Sequence, residues 1–191
     1  MNKGRLEAFS DGVLAIIITV MVLELRTPSG ATLAALRPFV APLLIYMLSF
    51  THIAIYWNNH HHLLHAARRV NGAVLWANLH LLFWLSLVPV TTAWIGNTGL
   101  AALPVALYGA VLLCSGAAYY VLSRALIAAQ GEGSLLATAI GRDTKGRISV
   151  FAYAVAIALA FAEPWLAAAI YVGVAVLWMV PDRRIERQVS D

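Results

Sequence analysis

The chain is 191 residues long, 61% hydrophobic and only 12% charged, with a formal net charge of +4 and a mean hydropathy of +0.79. Soluble domains average about a quarter charged residues, so a water-soluble enzyme or binding module is excluded. Long apolar runs recur along the whole length and give a polytopic membrane protein.

In chain order, the first span covers about residues 9–25 and ends before Thr27-Pro28-Ser29-Gly30, a turn signal. It is too long for a secretory signal, lacks a small-residue cleavage site and holds acidic residues. The second, about 42–66, starts near Pro38 or Pro42 and runs through Tyr46, His52 and Trp57 toward Arg68-Arg69. The third, about 73–95, stops at Gly96-Asn97-Thr98-Gly99, and the fourth covers about 100–126. Its lone cysteine, Cys114, excludes an intrachain disulfide and is expected to be a small buried hydrophobe. A polar stretch from Gln130 to Arg147 follows, and two short spans, about 148–162 and 164–180, meet at Glu163-Pro164. Each span must be helical, because an open strand in lipid leaves backbone groups unpaired. The expected fold class is an all-α membrane protein of six transmembrane helices in a single domain over residues 1–191.

Six spans place both termini on one side. That side collects Lys3, Arg5, Arg68, Arg69, Arg124, Arg142, Lys145, Arg147, Arg183, Arg184 and Arg187, against only Arg26 and Arg37 opposite. The asymmetry predicts cytoplasmic termini. The basic tail Arg183-Arg184-Ile185-Glu186-Arg187 reads as a topology anchor beside anionic headgroups, so the positive charge requires no nucleic acid.

On a helical wheel, Arg5, Phe9, Gly12, Ile16, Thr19, Val20 and Leu23 share one stripe of the first helix. Glu7 and Asp11 lie on another face, with Ser10 beside them. A carboxylate at that depth either lines a pathway or is a strut bonded to other helices, and the residues alone leave both open. The second helix brings Asn58, Asn59, His60, His61, His62 and His65 to this level, and the third brings Asn78 and His80. An interhelical polar knot is expected, with Asn58, His61, His62, His65 and Asn78 as its candidates. His61 and His65 have the i, i+4 spacing of zinc-binding pairs, but no carboxylate or cysteine nearby in sequence completes a set, so no metal site is expected. His52, alone on an apolar helix, is expected to bond a neighbouring carbonyl.

No Gly-x-Ser-x-Gly, His-Glu-x-x-His or phosphate-binding glycine loop is present, and no enzymatic activity is expected. Trp57, Trp76, Trp94, Trp165 and Trp178 lie near span ends and read as interfacial belts.

The segment from Arg5 through Phe9-Ser10-Asp11-Gly12 resembles the Arg-x-x-x-Phe-Ser-Asp signature of the transmembrane protein 175 potassium channel family. The likeness continues in Tyr56-Trp57-Asn58-Asn59-His60-His61-His62, in Arg69-Val70-Asn71, in Leu75-Trp76-Ala77-Asn78-Leu79 and in Leu87-Val88-Pro89-Val90-Thr91-Thr92. It covers about the first half of the chain. The resemblance implies a prokaryotic homotetramer in the cell membrane whose first helices line a central pore for potassium, without a carbonyl filter loop. An Ala-rich composition with Arg favoured over Lys agrees with a bacterial chain. By the same resemblance Ile16 is the constriction, Val20 and Leu23 are apolar layers beyond it, and Thr19 bears on potassium preference. Arg5, Phe9, Ser10 and Asp11 then dock the helix rather than touch the ion. Against direct ion contact, Thr19 has the common alternative of bonding the carbonyl four residues back, Ala15. A proton-coupled or proton-conducting transporter built on Asp11 and the histidines is the competing class. No cofactor other than the transported ion is implied.

Overall fold

A computed structural model describes residues 2–131 and 144–179, and every regular element among them is helical. Helix α1 (Lys3–Leu23) begins six residues before the expected span, because the Asn2 side chain accepts from the Gly4 N–H at 3.0 Å and caps it. The whole Arg5–Asp11 motif is thereby helical. A 3₁₀ turn at Leu33–Leu36, capped by Thr32, leads into α2 (Arg37–His65). Pro38 sits in the first turn of α2, where its missing N–H costs nothing. The helix therefore starts before the expected residue 42, and Pro42 lies inside it.

The third expected span is two helices. Helix α3 (Gly72–Ser86) ends at Leu87, which also starts α4 (Val88–Thr98). Pro89 in the first turn of α4 has no N–H to continue the ladder. Nearby hydroxyls meet the carbonyls at the break: Ser86 Oγ donates to Phe83 O at 2.7 Å, and Thr91 Oγ1 reaches Val88 O at 3.1 Å. Such local repair is what lets a proline persist at membrane depth. Gly99 then stops α4 with a left-handed φ of 64°.

Helix α5 (Ala102–Gln130) is the centre of the described chain, packed against α3, α4, α6 (Thr144–Leu159) and α7 (Pro164–Met179). Its Leu112, Ala118, Leu122 and Leu126 are fully buried. Gly109 is needed there, since a Cβ would strike the Tyr171 hydroxyl, which donates to Val105 O at 3.1 Å. Cys114 is only half-buried, contrary to expectation, because it lies to one side of that buried row. Lys3–Leu23, Leu33–His65, Gly72–Thr98 and Ala102–Gln130 are long and apolar enough to cross a bilayer; Pro164–Met179 is apolar but shorter. Most of the polar stretch after Gln130, and the basic tail, lie outside the described residues.

Candidate functional site: the two faces of α1

Helix α1 rests on α2, α3 and α4 by one narrow row: Leu6, Ser10, Leu14, Ile17 and Met21 are all buried. These residues recur every three or four positions, the spacing of a single helical face. Within that row Ser10 is the one polar member, and it begins a hydrogen-bonded chain through three helices. Its Oγ donates to Leu6 O at 2.9 Å and accepts from Asn78 Nδ2 on α3 at 2.9 Å. Asn78 Oδ1 in turn stands 2.7 Å from His60 Nε2 on α2. An amide oxygen only accepts, so the hydrogen in this last bond is on Nε2. All three side chains are buried, and every bond is one that lipid could not replace.

The knot therefore forms at the expected level, with different histidine membership. Asn78 is in it; His60 takes the place expected for His61, His62 and His65. Asn58, His61 and His65 are exposed and His62 is half-buried. The buried row of α2 explains the choice. Ser49, Ile53, His60, Leu63 and Leu64 fall on one face, and His61 and His65 point elsewhere. His60 stands two helical turns, seven residues, beyond Ile53, which is the sequence signal for its place in that row.

Asp11 lies beside the docking row and is exposed in the single chain. Its Oδ1 accepts from Trp57 Nε1 on α2 at 2.9 Å. Trp57 is thus a partner for the motif aspartate as well as a span-end aromatic. Two turns toward the N-terminus, Lys3 Nζ donates to His65 O at 3.0 Å and lies 3.7 Å from Glu7 Oε1. A cation on the last carbonyls of α2 also opposes its helix dipole favourably.

The stripe read from the wheel faces away from all this. Ile16 is 63% exposed, Leu23 81% and Val20 39%, and Phe9, Gly12 and Thr19 are exposed too. Thr19 Oγ1 donates to Ile16 O at 2.8 Å, three residues back rather than to Ala15. Phe9, Ile16, Val20 and Leu23 thus form one apolar row that the rest of the described chain leaves open.

A second polar cluster joins the other halves of the helices. Thr92 Oγ1 donates to Ser49 Oγ at 2.7 Å, and Ser49 Oγ donates to the Tyr108 hydroxyl at 3.2 Å. His52 Nδ1 lies 3.0 Å from Leu48 O, the neighbouring carbonyl expected for it. Elsewhere Trp84 Nε1 donates to His80 Nε2 at 2.9 Å. Among the described residues no group of three or more His, Cys, Asp or Glu could hold a metal ion.

Comparison with known proteins adds a second line of argument to this geometry. Residues 5–89, which carry the motif helix, the knot and Trp57, match the family described as endosomal/lysosomal potassium channel TMEM175. A protein from a Chryseobacterium strain named as a potassium channel is 51% identical over 191 residues, all of both chains. The crystal structure of a lysosomal potassium-selective channel TMEM175 homolog from Chamaesiphon minutus superposes with a TM-score of 0.78 at 27% identity, covering 93% of this chain and 96% of that one. The endosomal/lysosomal proton channel TMEM175 of Rattus norvegicus is 34% identical over 96 residues, which are 44% of this chain and 19% of the relative. With a full-length relative at this identity, a shared helical architecture and the motif region matched, the chain is a membrane protein of the TMEM175 family.

Proposed function

We propose that four copies of this chain, each a single six-span unit, form a potassium-selective channel in the cell membrane, with α1 of every copy facing a central pore and both termini cytoplasmic. The carrying observation is the open face of α1, where Ile16, Thr19, Val20 and Leu23 stand exposed opposite a fully buried docking row. A central axis shared with other copies gives that row its cover. Exposed Ala8 and Ala15 beside it are small enough to let neighbouring helices approach closely. The names of the Chryseobacterium relative and of the Chamaesiphon structure support potassium as the ion.

In this reading selectivity does not come from carbonyls, which an intact helix spends on its own ladder. Ile16 forms the narrowest ring and admits an ion only as it sheds water, a smaller cost for potassium than for sodium. Thr19 acts just beyond it. Its hydroxyl hydrogen is committed to the Ile16 carbonyl, so its oxygen presents only lone pairs, which suits a cation. Four Ile16 side chains also close the path by dewetting when they meet.

The test is flux through purified protein in liposomes, with potassium, sodium and protons compared. Potassium flux above sodium, with the preference lost in Ile16→Asn, is the expected result. Unchanged selectivity and conductance in that variant would remove Ile16 from the constriction. The name of the rat relative favours a second reading, proton conduction, which proton flux exceeding potassium flux in the same liposomes would establish.

A further inference from the structure

Helix α4 is a half-helix cut from α3 at Leu87, where Pro89 has no N–H to carry the ladder across. Beyond the break it packs chiefly against α1, α2 and α5 rather than against α3. A buried hydroxyl series fixes it there: Thr92 on α4 donates to Ser49 on α2, which donates to Tyr108 on α5. Tyr108 is the firm end of the series. Its ring meets those of His52 and Tyr171 edge-on, at 6.2 and 5.5 Å between centroids.

This series stands at the depth of the open stripe of α1. Two bonds set α1 and α2 in antiparallel register, Lys3 to the His65 carbonyl and Asp11 to Trp57. Both helices are unbroken between these contacts and the stripe, so each residue forward on α1 is one residue back on α2. The register continues to Ile16 level with His52 and Thr19 level with Ser49. The knot of Ser10, Asn78 and His60 lies about two turns nearer the N-terminus of α1. At the level of Ile16 the docking row offers only Ile17 and Met21, which carry no hydrogen-bonding group to another helix. Apolar contact is non-directional and lets helices slide, whereas a hydrogen bond fixes distance and angle.

We infer that Thr92, Ser49 and Tyr108 are positioning residues for ion selection. They latch α4 about the Leu87 break, and α4 in turn holds the C-terminal half of α1 so that the passage at Ile16 and Thr19 keeps one width. This inference rests on the reading that α1 lines the pore. The three hydroxyls touch no ion. A ring that selects by the cost of shedding water responds to small changes in its width, so releasing the wall behind it blurs the choice between potassium and sodium.

The test compares potassium and sodium flux through purified protein in liposomes, with gel-filtration profile and thermal stability recorded for each variant. Thr92→Val and Tyr108→Phe each delete one latch hydroxyl and are expected to lower the potassium-to-sodium ratio by about threefold or more. Thr92→Ser keeps the hydroxyl and the parent's ratio. Ser149→Ala removes an interhelical partner away from the latch, the hydroxyl to which Trp178 Nε1 donates at 2.8 Å. It is expected to lower stability and leave the ratio alone, which separates positioning from a general loosening of the fold. A potassium-selective parent whose ratio is unchanged in both Thr92→Val and Tyr108→Phe overturns the latch and leaves the pore standing. Failure of both variants to assemble makes the hydroxyls a folding element and overturns it too, as does an equal fall in Ser149→Ala. A parent without potassium preference overturns the pore reading and the latch with it.

Discussion

At the level of Ser10 and Asp11, the docking row and the open stripe of α1 sit on one helix and at about one depth, yet they use opposite chemistry. The docking row mixes apolar side chains with a single hydroxyl, and that hydroxyl is tied into Asn78 and His60. The open stripe, from Ile16 outward, is apolar except for Thr19 and makes no bond to another helix among the described residues. Interhelical hydrogen bonds in membranes contribute about 0.6–1 kcal/mol each, and leaving a buried partner unpaired costs more than the bond supplied. Residues on the first face should therefore govern whether the helix is held, and those on the second what passes it.

Three substitutions sharpen that division. Asn78→Leu removes the middle of the buried chain and strands the His60 Nε2–H in an apolar interior. A loss of about 2 kcal/mol is expected, measured as reduced thermal stability in detergent, with ion preference unchanged in whatever protein still assembles. An altered potassium-to-sodium ratio in that protein would dissolve the distinction between faces. Trp57→Phe removes the donor to Asp11 and keeps most of the ring. Because the carboxylate is exposed it regains water, so the expected loss is nearer 1 kcal/mol by the same assay. Thr19→Val keeps shape and deletes the oxygen. Stability should stay within about 0.5 kcal/mol of the parent, while the potassium preference in liposome flux falls. A preference that survives Thr19→Val would assign selectivity to the Ile16 ring alone.

Much of the helical plan was legible because lipid permits few alternatives. Apolar length marks the spans, and the Arg5–Asp11 string marks α1. The wheel separated the Ile16 stripe from Asp11 without any structure, since the helical period alone sets which residues share a face. Helix ends were less legible. The start of α1 turned on the Asn2 side chain, and the start of α2 on where Pro38 falls within a turn. The division of the third span at Leu87 follows from Pro89, a residue that a hydropathy window reads straight through.

Sequence by itself determined that this chain enters a membrane as helices, that one stripe of the first helix is apolar, and that polar groups gather at one level. Only tertiary structure decided which of those polar groups meet. Four consecutive or near-consecutive histidines are equivalent as residue types, and their separation into one buried link and three outlying rings depends on the rotation of α2 about its axis. That rotation is set by packing against α1, α4 and α7, and by bonds such as Tyr56 to the Leu112 carbonyl and Tyr119 to the Asn59 carbonyl, 56 and 60 positions apart. Lys3 likewise reaches the His65 carbonyl, 62 positions away, only because α1 and α2 pack side by side.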